Sequence, residues 1–333
     1  MSETILKVQN LKKWFPLKLG FFSTLLSRKA LYVQAVDGIS FEIKRKEIFG
    51  LAGESGSGKT TTGRLTLRLI EPTTGKIIFK DQDITSLSGG QMKPFRRQMQ
   101  MIFQDPYESL NPRMTVESIV TEPLRVLGVT SGESEIQERL AKTLEDVELT
   151  PPEEFVFRYP HELSGGQRQR IGVARAFVVN PEFVVADEPV SMLDVSIRAE
   201  ILKLMLSLLD KYNCSFLYIT HDLALARHIC DRLAVMYLGK IMEMGTIKQV
   251  IAEPLHPYTQ ALMAAVPIPD PTAKRIEVVI KGEIPSPVNP PSGCRFHTRC
   301  PSCIGDICRI KETELIDVGN GHLVACHLYQ KKA

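Results

Sequence analysis

At 333 residues, with 44% hydrophobic and 24% charged content, the chain is long enough for one large domain plus an appendage and has the composition of a globular protein. A formal net charge of +3 is too small to make nucleic acid the main partner. No apolar run reaches about eighteen residues, so no bilayer span is expected, and the start MSETILKVQNLKKW lacks an apolar signal core; a cytoplasmic chain is expected.

Ile5, Leu6 and Val8, then Ile39, Phe41 and Ile43, read as strands. Between them, Pro16 to Val33 sets Phe21, Phe22, Leu25 and Leu26 among basic residues, either as an ordered surface loop or as a face for a membrane partner. Ile48, Phe49, Gly50, Leu51 and Ala52 form a short buried strand, and residues from about Lys59 to Ile70 read as a helix. GESGSGKT, residues 53–60, lies between them and matches G-x-x-x-x-G-K-[ST]. Gly53, Gly56 and Gly58 let successive N–H groups point at one anion, and the positive end of the helix adds to that field. Lys59 can reach β- and γ-phosphates, and the Thr60 hydroxyl can ligate Mg²⁺.

The motif LSGGQ occurs at 87–91, after the strand-like Lys76–Lys80 stretch, where it reads as a surface turn, and again at 163–167. MIFQDP, with Gln104, lies between the copies, in a region from about 93 to 165 whose periodicity is helical, notably Glu133 to Val147. Gly172, Ala174, Arg175 and Ala176 continue a small-residue helix after the second copy. Phe183 to Ala186 then forms a strand that delivers Asp187 and Glu188, which can hold Mg²⁺ through water and orient or deprotonate an attacking water. Ser215 to Thr220 is a further strand and delivers His221 to the end where open α/β sheets place ligands. Alternating helix and strand over 166 to about 250 implies a parallel sheet.

In this order the motifs resemble those of the ATP-binding cassette family of ATPases, over nearly the whole chain. The resemblance implies an α/β P-loop ATPase fold with a helical insert at about 93–165, a cassette domain over 1–255, and a small Cys-rich C-terminal extension over 256–333. It implies that Gly53, Glu54, Ser55, Gly56, Ser57, Gly58, Lys59, Thr60 and Thr61 bind ATP, with Mg²⁺ held through Thr60, Gln104 and Asp187. Gln104 matches the glutamine loop that also touches the membrane partner. Glu188 matches the catalytic base and His221 the γ-phosphate sensor. Ser164 and Gly166 match the signature, which serves the nucleotide of a second subunit, and Asp194 the loop linking the two sites, where Met192 departs from the usual small residue. Only the copy at 163 fits the signature's place after the glutamine loop and before the acidic strand. An aromatic near Trp14 and Phe15 stacks on adenine in the family; register favours Phe15.

EPLHPYTQAL followed by AVPIPDP resembles the C-terminal extension of the peptide and nickel importers, as does RYPHELSGGQRQRI. Cys294, Cys300, Cys303, Cys308 and Cys326 then cluster in a chain with no secretion signal, which points to metal ahead of disulfide. Cys214 and Cys230 sit in core-like contexts. GCRFHTRCP with a later CR and VACH resembles family members that bind a 4Fe–4S cluster, implying Cys294, Cys300, Cys308 and Cys326 as ligands. The Cys300–Cys308 spacing is one residue longer than usual, and Cys303 could replace Cys308. Zinc, with His297 or His327 helping, and uncoordinated cysteines stay open.

The resemblance thus implies the ATP-hydrolysing subunit of an importer for peptides or a related solute, at the cytoplasmic face of the membrane. Its implied partners are a second, different ATPase subunit rather than an identical copy, two permease subunits and an extracellular or periplasmic solute-binding protein, without nucleic acid. Two other classes are weighed: a cassette ATPase acting on ribosomes or nucleic acid, against which stand the single cassette and the absence of a long coiled coil, and an iron–sulfur redox protein with a vestigial ATPase.

Overall fold

The computed structural model describes residues 3–17, 31–130, 132–266, 280 and 282–330. Phe21, Phe22, Leu25 and Leu26, and AVPIPDP from Pro267 onward, lie outside the described residues. The chain divides into two compact units, Met1–Ile5, Ile43–Ile48 and Lys80–Ile219 in one, Leu6–Glu42, Phe49–Phe79 and Thr220–Ala333 in the other.

The first unit is built on three parallel strands, Met99–Ile102, Phe183–Asp187 and Ser215–Thr220, paired in that order. Every residue of the middle strand is buried, as expected of a parallel strand covered on both faces. The helix Val116–Leu127 buries Val116, Ile119, Val120 and Leu124, a stripe at helical spacing. Thr115 caps its start by accepting from the Ser118 N–H, and Gly128 ends it in the left-handed region at φ 65°. Glu133–Asp146 follows, with Ile136, Leu140 and Leu144 inward, close to the helix expected at Glu133 to Val147. The expectation of a helical stretch from about residue 93 needs correcting, because the strand Met99–Ile102 interrupts it. Its four residues are too short to carry a periodicity that separates strand from helix.

The second unit pairs the strand Ile48–Ala52 in parallel with Arg232–Tyr237. Arg232–Tyr237 turns back through Leu238 and Gly239, both at positive φ, into the antiparallel strand Lys240–Thr246, so the expected parallel order stops there. Leu323–Val324 and Ile316–Asp317 continue antiparallel. A separate antiparallel layer sets Thr4–Pro16 against Thr74–Phe79. Among the described residues, no helix is long and apolar enough to cross a membrane.

Buried polar contacts help tie the tail into this unit. Glu243, wholly buried on Lys240–Thr246, accepts hydrogen bonds from the N–H groups of Leu255 and His256 and pairs with His322 Nε2 at 2.8 Å. Those two amides sit at the start of the helix Pro257–Ala265, so one carboxylate fixes where that helix begins. Glu243→Ala is expected to lower unfolding stability by about 3 kcal/mol, since it strands buried donors, and Glu243→Gln by less. Chemical denaturation checks this; an unchanged midpoint for the alanine variant would contradict it.

Candidate functional site

In the second unit, the phosphate loop follows the buried strand Ile48–Ala52 and opens the helix Lys59–Thr66. Gly53, Gly56 and Gly58 all have positive φ, at 151°, 77° and 105°. At Gly53 an added Cβ would meet the Met236 carbonyl oxygen at 2.2 Å, and at Gly58 the Ala35 carbonyl oxygen at 2.2 Å. Both positions therefore need glycine for conformation and for space. Lys59 is buried and its ammonium donates to the carbonyls of Gly53 (2.8 Å) and Glu54 (3.1 Å). The loop closes on itself through the Ser57 N–H to Glu54 O bond. Ser57 Oγ is buried and has no hydrogen-bond partner among the described residues. With no acidic residue in the first helical turn, these groups suit a polyphosphate anion.

In the first unit, Asp187 is buried at the end of its strand, and Glu188 follows at φ 45°, a left-handed conformation uncommon for a glutamate. Its N–H donates to Ile219 O, and its carboxylate accepts from Gln104 Nε2 at 3.2 Å. The structure therefore joins Gln104 to Glu188. Asp194 stands exposed at the N-cap of the helix Val195–Tyr212, with Met192 and Val195 exposed beside it. In the second unit, His221 is exposed next to Asp222, whose carboxylate caps the helix Leu223–Ile229 by accepting from the Ala224 and Leu225 N–H groups.

Both LSGGQ copies turn out to be helix starts of the same design. Ser88 and Ser164 each form a capping box with the glutamine three residues on, opening Gly89–Gln98 and Gly165–Phe177. The expectation of a surface turn at 87–91 is thus corrected: S-x-x-Q is a capping signal wherever it occurs. What separates the copies is packing. A Cβ on Gly166 would meet Ile197 Cγ2 at 2.9 Å, whereas one on Gly90 would meet nothing within 4 Å.

Trp14 is engaged, its indole donating to Asp37 and its ring packing beside Tyr32. Phe15 is 38% exposed, with the Lys13 ammonium over its ring.

All seven cysteines are free. Cys294, Cys308 and Cys326 are buried, Cys300 and Cys303 half-buried. The Cys294 N–H donates to Cys308 O. Burial pushes Cys294 up to about 12 and Cys300 up to about 11, with the neighbouring thiols adding to both. Cys308 and Cys326 are also raised, again by burial first. Among the described residues, no group of three or more His, Cys, Asp or Glu side chains stands in a metal-holding arrangement. His297 Nδ1 is bonded to Cys294 O and His327 Nε2 to Lys311 O. Burial raises Cys214 and Cys230 well above an ordinary thiol.

Sequence reasoning missed what holds Glu54. Its N–H donates to the Tyr258 hydroxyl at 2.9 Å, and its carboxylate takes a two-pronged contact from Arg299. The one available signal was a charge anomaly, an acidic residue inside a loop built for anions.

The ABC transporter family matches residues 36–191, and the oligopeptide/dipeptide transporter C-terminal region matches residues 242–308. The chain is 50% identical to the oligopeptide transport ATP-binding protein AppF of Bacillus subtilis, over 98% of each chain. It is 51% identical to a putative peptide import ATP-binding protein of Brucella ovis, covering 88% of this chain and 92% of that one. Among solved structures, a dimeric ATP-binding cassette in a post-hydrolysis state with ADP and Pi matches with a TM-score of 0.62 at 27% identity, covering 73% of this chain and 98% of that one. A cassette from an ABC transporter complex of Clostridium perfringens matches with a TM-score of 0.63 at 26% identity, over 76% and 92%.

Gly58→Ala is expected to abolish nucleotide binding, because both the conformation and the Ala35 carbonyl forbid the methyl group, while Gly90→Ala leaves binding intact. Titration with a fluorescent ATP analogue checks this; wild-type affinity in Gly58→Ala would contradict the loop assignment.

Proposed function

This chain belongs to the ATP-binding cassette family of transporter ATPases, in the branch that carries the oligopeptide/dipeptide transporter C-terminal region, and from that membership we propose how its residues divide the work of a peptide importer. The protein is an ATPase, and the observation that carries the reading is the phosphate loop whose glycines are enforced by backbone contacts at 2.2 Å. ATP supplies the γ-phosphoryl group, and a bound Mg²⁺ would neutralise charge on it. Lys59 and the loop N–H groups hold the phosphates, with Gly53 to Thr61 as the binding segment. Thr60, Asp187 and Gln104 are the residues that would hold Mg²⁺. Glu188 takes the proton of the attacking water, His221 senses the γ-phosphate, and Phe15 stacks on the base.

Ser164 and Gly166 serve the nucleotide of a second ATPase subunit, and Asp194 links the two sites. The exposed Met192 and Val195 beside it suit a surface that another subunit covers. That subunit is a different chain rather than an identical copy. The pair sits at the cytoplasmic face through two permease subunits, served by an extracellular or periplasmic solute-binding protein. The cassette occupies 1–255, with its helical insert lying after the strand Met99–Ile102, and the extension 256–333. The ribosome or nucleic-acid reading has no observation in its favour.

Glu188→Gln is expected to keep ATP affinity while lowering turnover by about 10²–10⁴-fold, since an amide cannot act as base. Parallel nucleotide titration and phosphate-release assays on the complex with its partner subunits check this. Turnover near wild type would remove Glu188 from the role.

The finer reading of the tail is that Cys294, Cys300, Cys308 and Cys326 hold a 4Fe–4S cluster, with Cys303 as the alternate ligand and zinc as the alternative metal. Its support is the thiol donor set, with Cys294 and Cys308 joined by a backbone hydrogen bond. Against it, the thiols are not at metal-holding spacing; binding would have to draw them in and release protons that burial now retains. Protein purified without oxygen is expected to carry about four irons per chain. Zinc without iron would overturn the cluster, and absence of both metals would overturn the site.

A further inference from the structure

Glu54 is out of place electrostatically. It lies between Gly53 and Ser55 in a loop whose N–H groups and Lys59 ammonium suit an anion, and a carboxylate there repels the phosphates the loop should bind. The structure shows what offsets it. Arg299, from the tail, lays its guanidinium against the Glu54 carboxylate, with Nη1 to Oε2 at 2.8 Å and Nη2 to Oε1 at 3.4 Å. The Arg299 side chain is only 10% exposed and that of Glu54 23%, so water screens the contact less than it would at an open surface. Tyr258, also from the tail, accepts the Glu54 N–H, which anchors the same residue by its backbone.

The arginine is held from several sides. Its guanidinium lies over the Tyr237 ring at 5.8 Å. Tyr237, Tyr258 and Phe296 pack together with ring centroids 4.8 to 5.3 Å apart, and Phe296 is wholly buried in the segment that presents Arg299. Arg295, in the same segment, is buried and donates to Asp37, Gln34 and the Leu238 carbonyl. The charge thus comes from an anchored segment rather than from a flexible surface side chain.

We propose that Arg299 is a positioning residue of the phosphate loop: it neutralises Glu54, so the C-terminal extension sets the nucleotide affinity of the cassette. This rests on the reading of residues 53–60 as the nucleotide-binding loop. The role differs from a structural tie in a measurable way. If Arg299 acts by cancelling one negative charge, its loss matters only while that charge is present.

The test is the dissociation constant for a fluorescent ATP analogue, measured on the full chain for Arg299→Gln, Arg299→Lys, Glu54→Gln and the double variant Glu54→Gln/Arg299→Gln, with Lys59→Ala as control. Arg299→Gln keeps a hydrogen-bonding side chain and is expected to weaken binding about tenfold. Arg299→Lys is expected to restore most of the affinity. In the Glu54→Gln background, Arg299→Gln should change affinity by less than about twofold. Equal weakening by Arg299→Gln in both backgrounds would overturn charge cancellation. Unchanged affinity in Arg299→Gln, with binding lost in Lys59→Ala, would overturn the proposal and leave the loop assignment standing. Wild-type binding in Lys59→Ala would instead overturn the loop assignment itself, and the proposal with it.

Discussion

Two carbonyl oxygens, those of Met236 and Ala35, stand where side chains at Gly53 and Gly58 would have to go. An anion-binding loop needs its N–H groups turned inward over a few residues, and that path uses backbone conformations only glycine adopts without strain. The neighbouring carbonyls add a second restriction, since even a methyl group would push the loop off its supports. Met236 reaches this place because Arg232–Tyr237 pairs in parallel with the strand that leads into the loop, Phe49 opposite Arg232 and Ala52 opposite Val235. The sheet register therefore decides the shape of the loop.

The tail continues the same logic with charge in place of sterics. It is irregular and proline-rich around Pro285 to Pro301, and it is attached through buried polar contacts: Glu243 with His322 and two amides, Arg295 with Asp37, Arg299 with Glu54. Such contacts add modest stability compared with an apolar interface of the same size, because each charge must leave water. They demand one geometry, however, since a shifted segment would leave a buried charge unpaired. Attachment of this kind holds the tail in register against the loop. Aromatic packing around Phe296 supplies the apolar share.

Local chemistry was legible from the sequence. A glycine-rich loop between an apolar strand and a helix, acids at a strand end, and a histidine after the next strand all announce themselves within a few residues. Three things were hidden. The strand Met99–Ile102 is too short to declare its period. The LSGGQ copies share a capping box, so only motif order ranked them in the sequence; the packing difference, Ile197 against Gly166, is made by the following helix and was not visible. The Arg299–Glu54 pair joins residues separated by 245 positions, and only the folded chain brings them together. The cysteines were conspicuous, but their spacing in sequence says nothing of whether the thiols converge at bonding distance.

An importer ATPase must turn over in step with the movement of its solute. ATP hydrolysis is measured for the protein reconstituted in vesicles with permease subunits, a second ATPase subunit and the solute-binding protein, with and without bound peptide. Hydrolysis is expected to rise when peptide-loaded binding protein is added on the side opposite the ATPase. Hydrolysis indifferent to the binding protein, yet stimulated by ribosomes or nucleic acid, would contradict the importer reading.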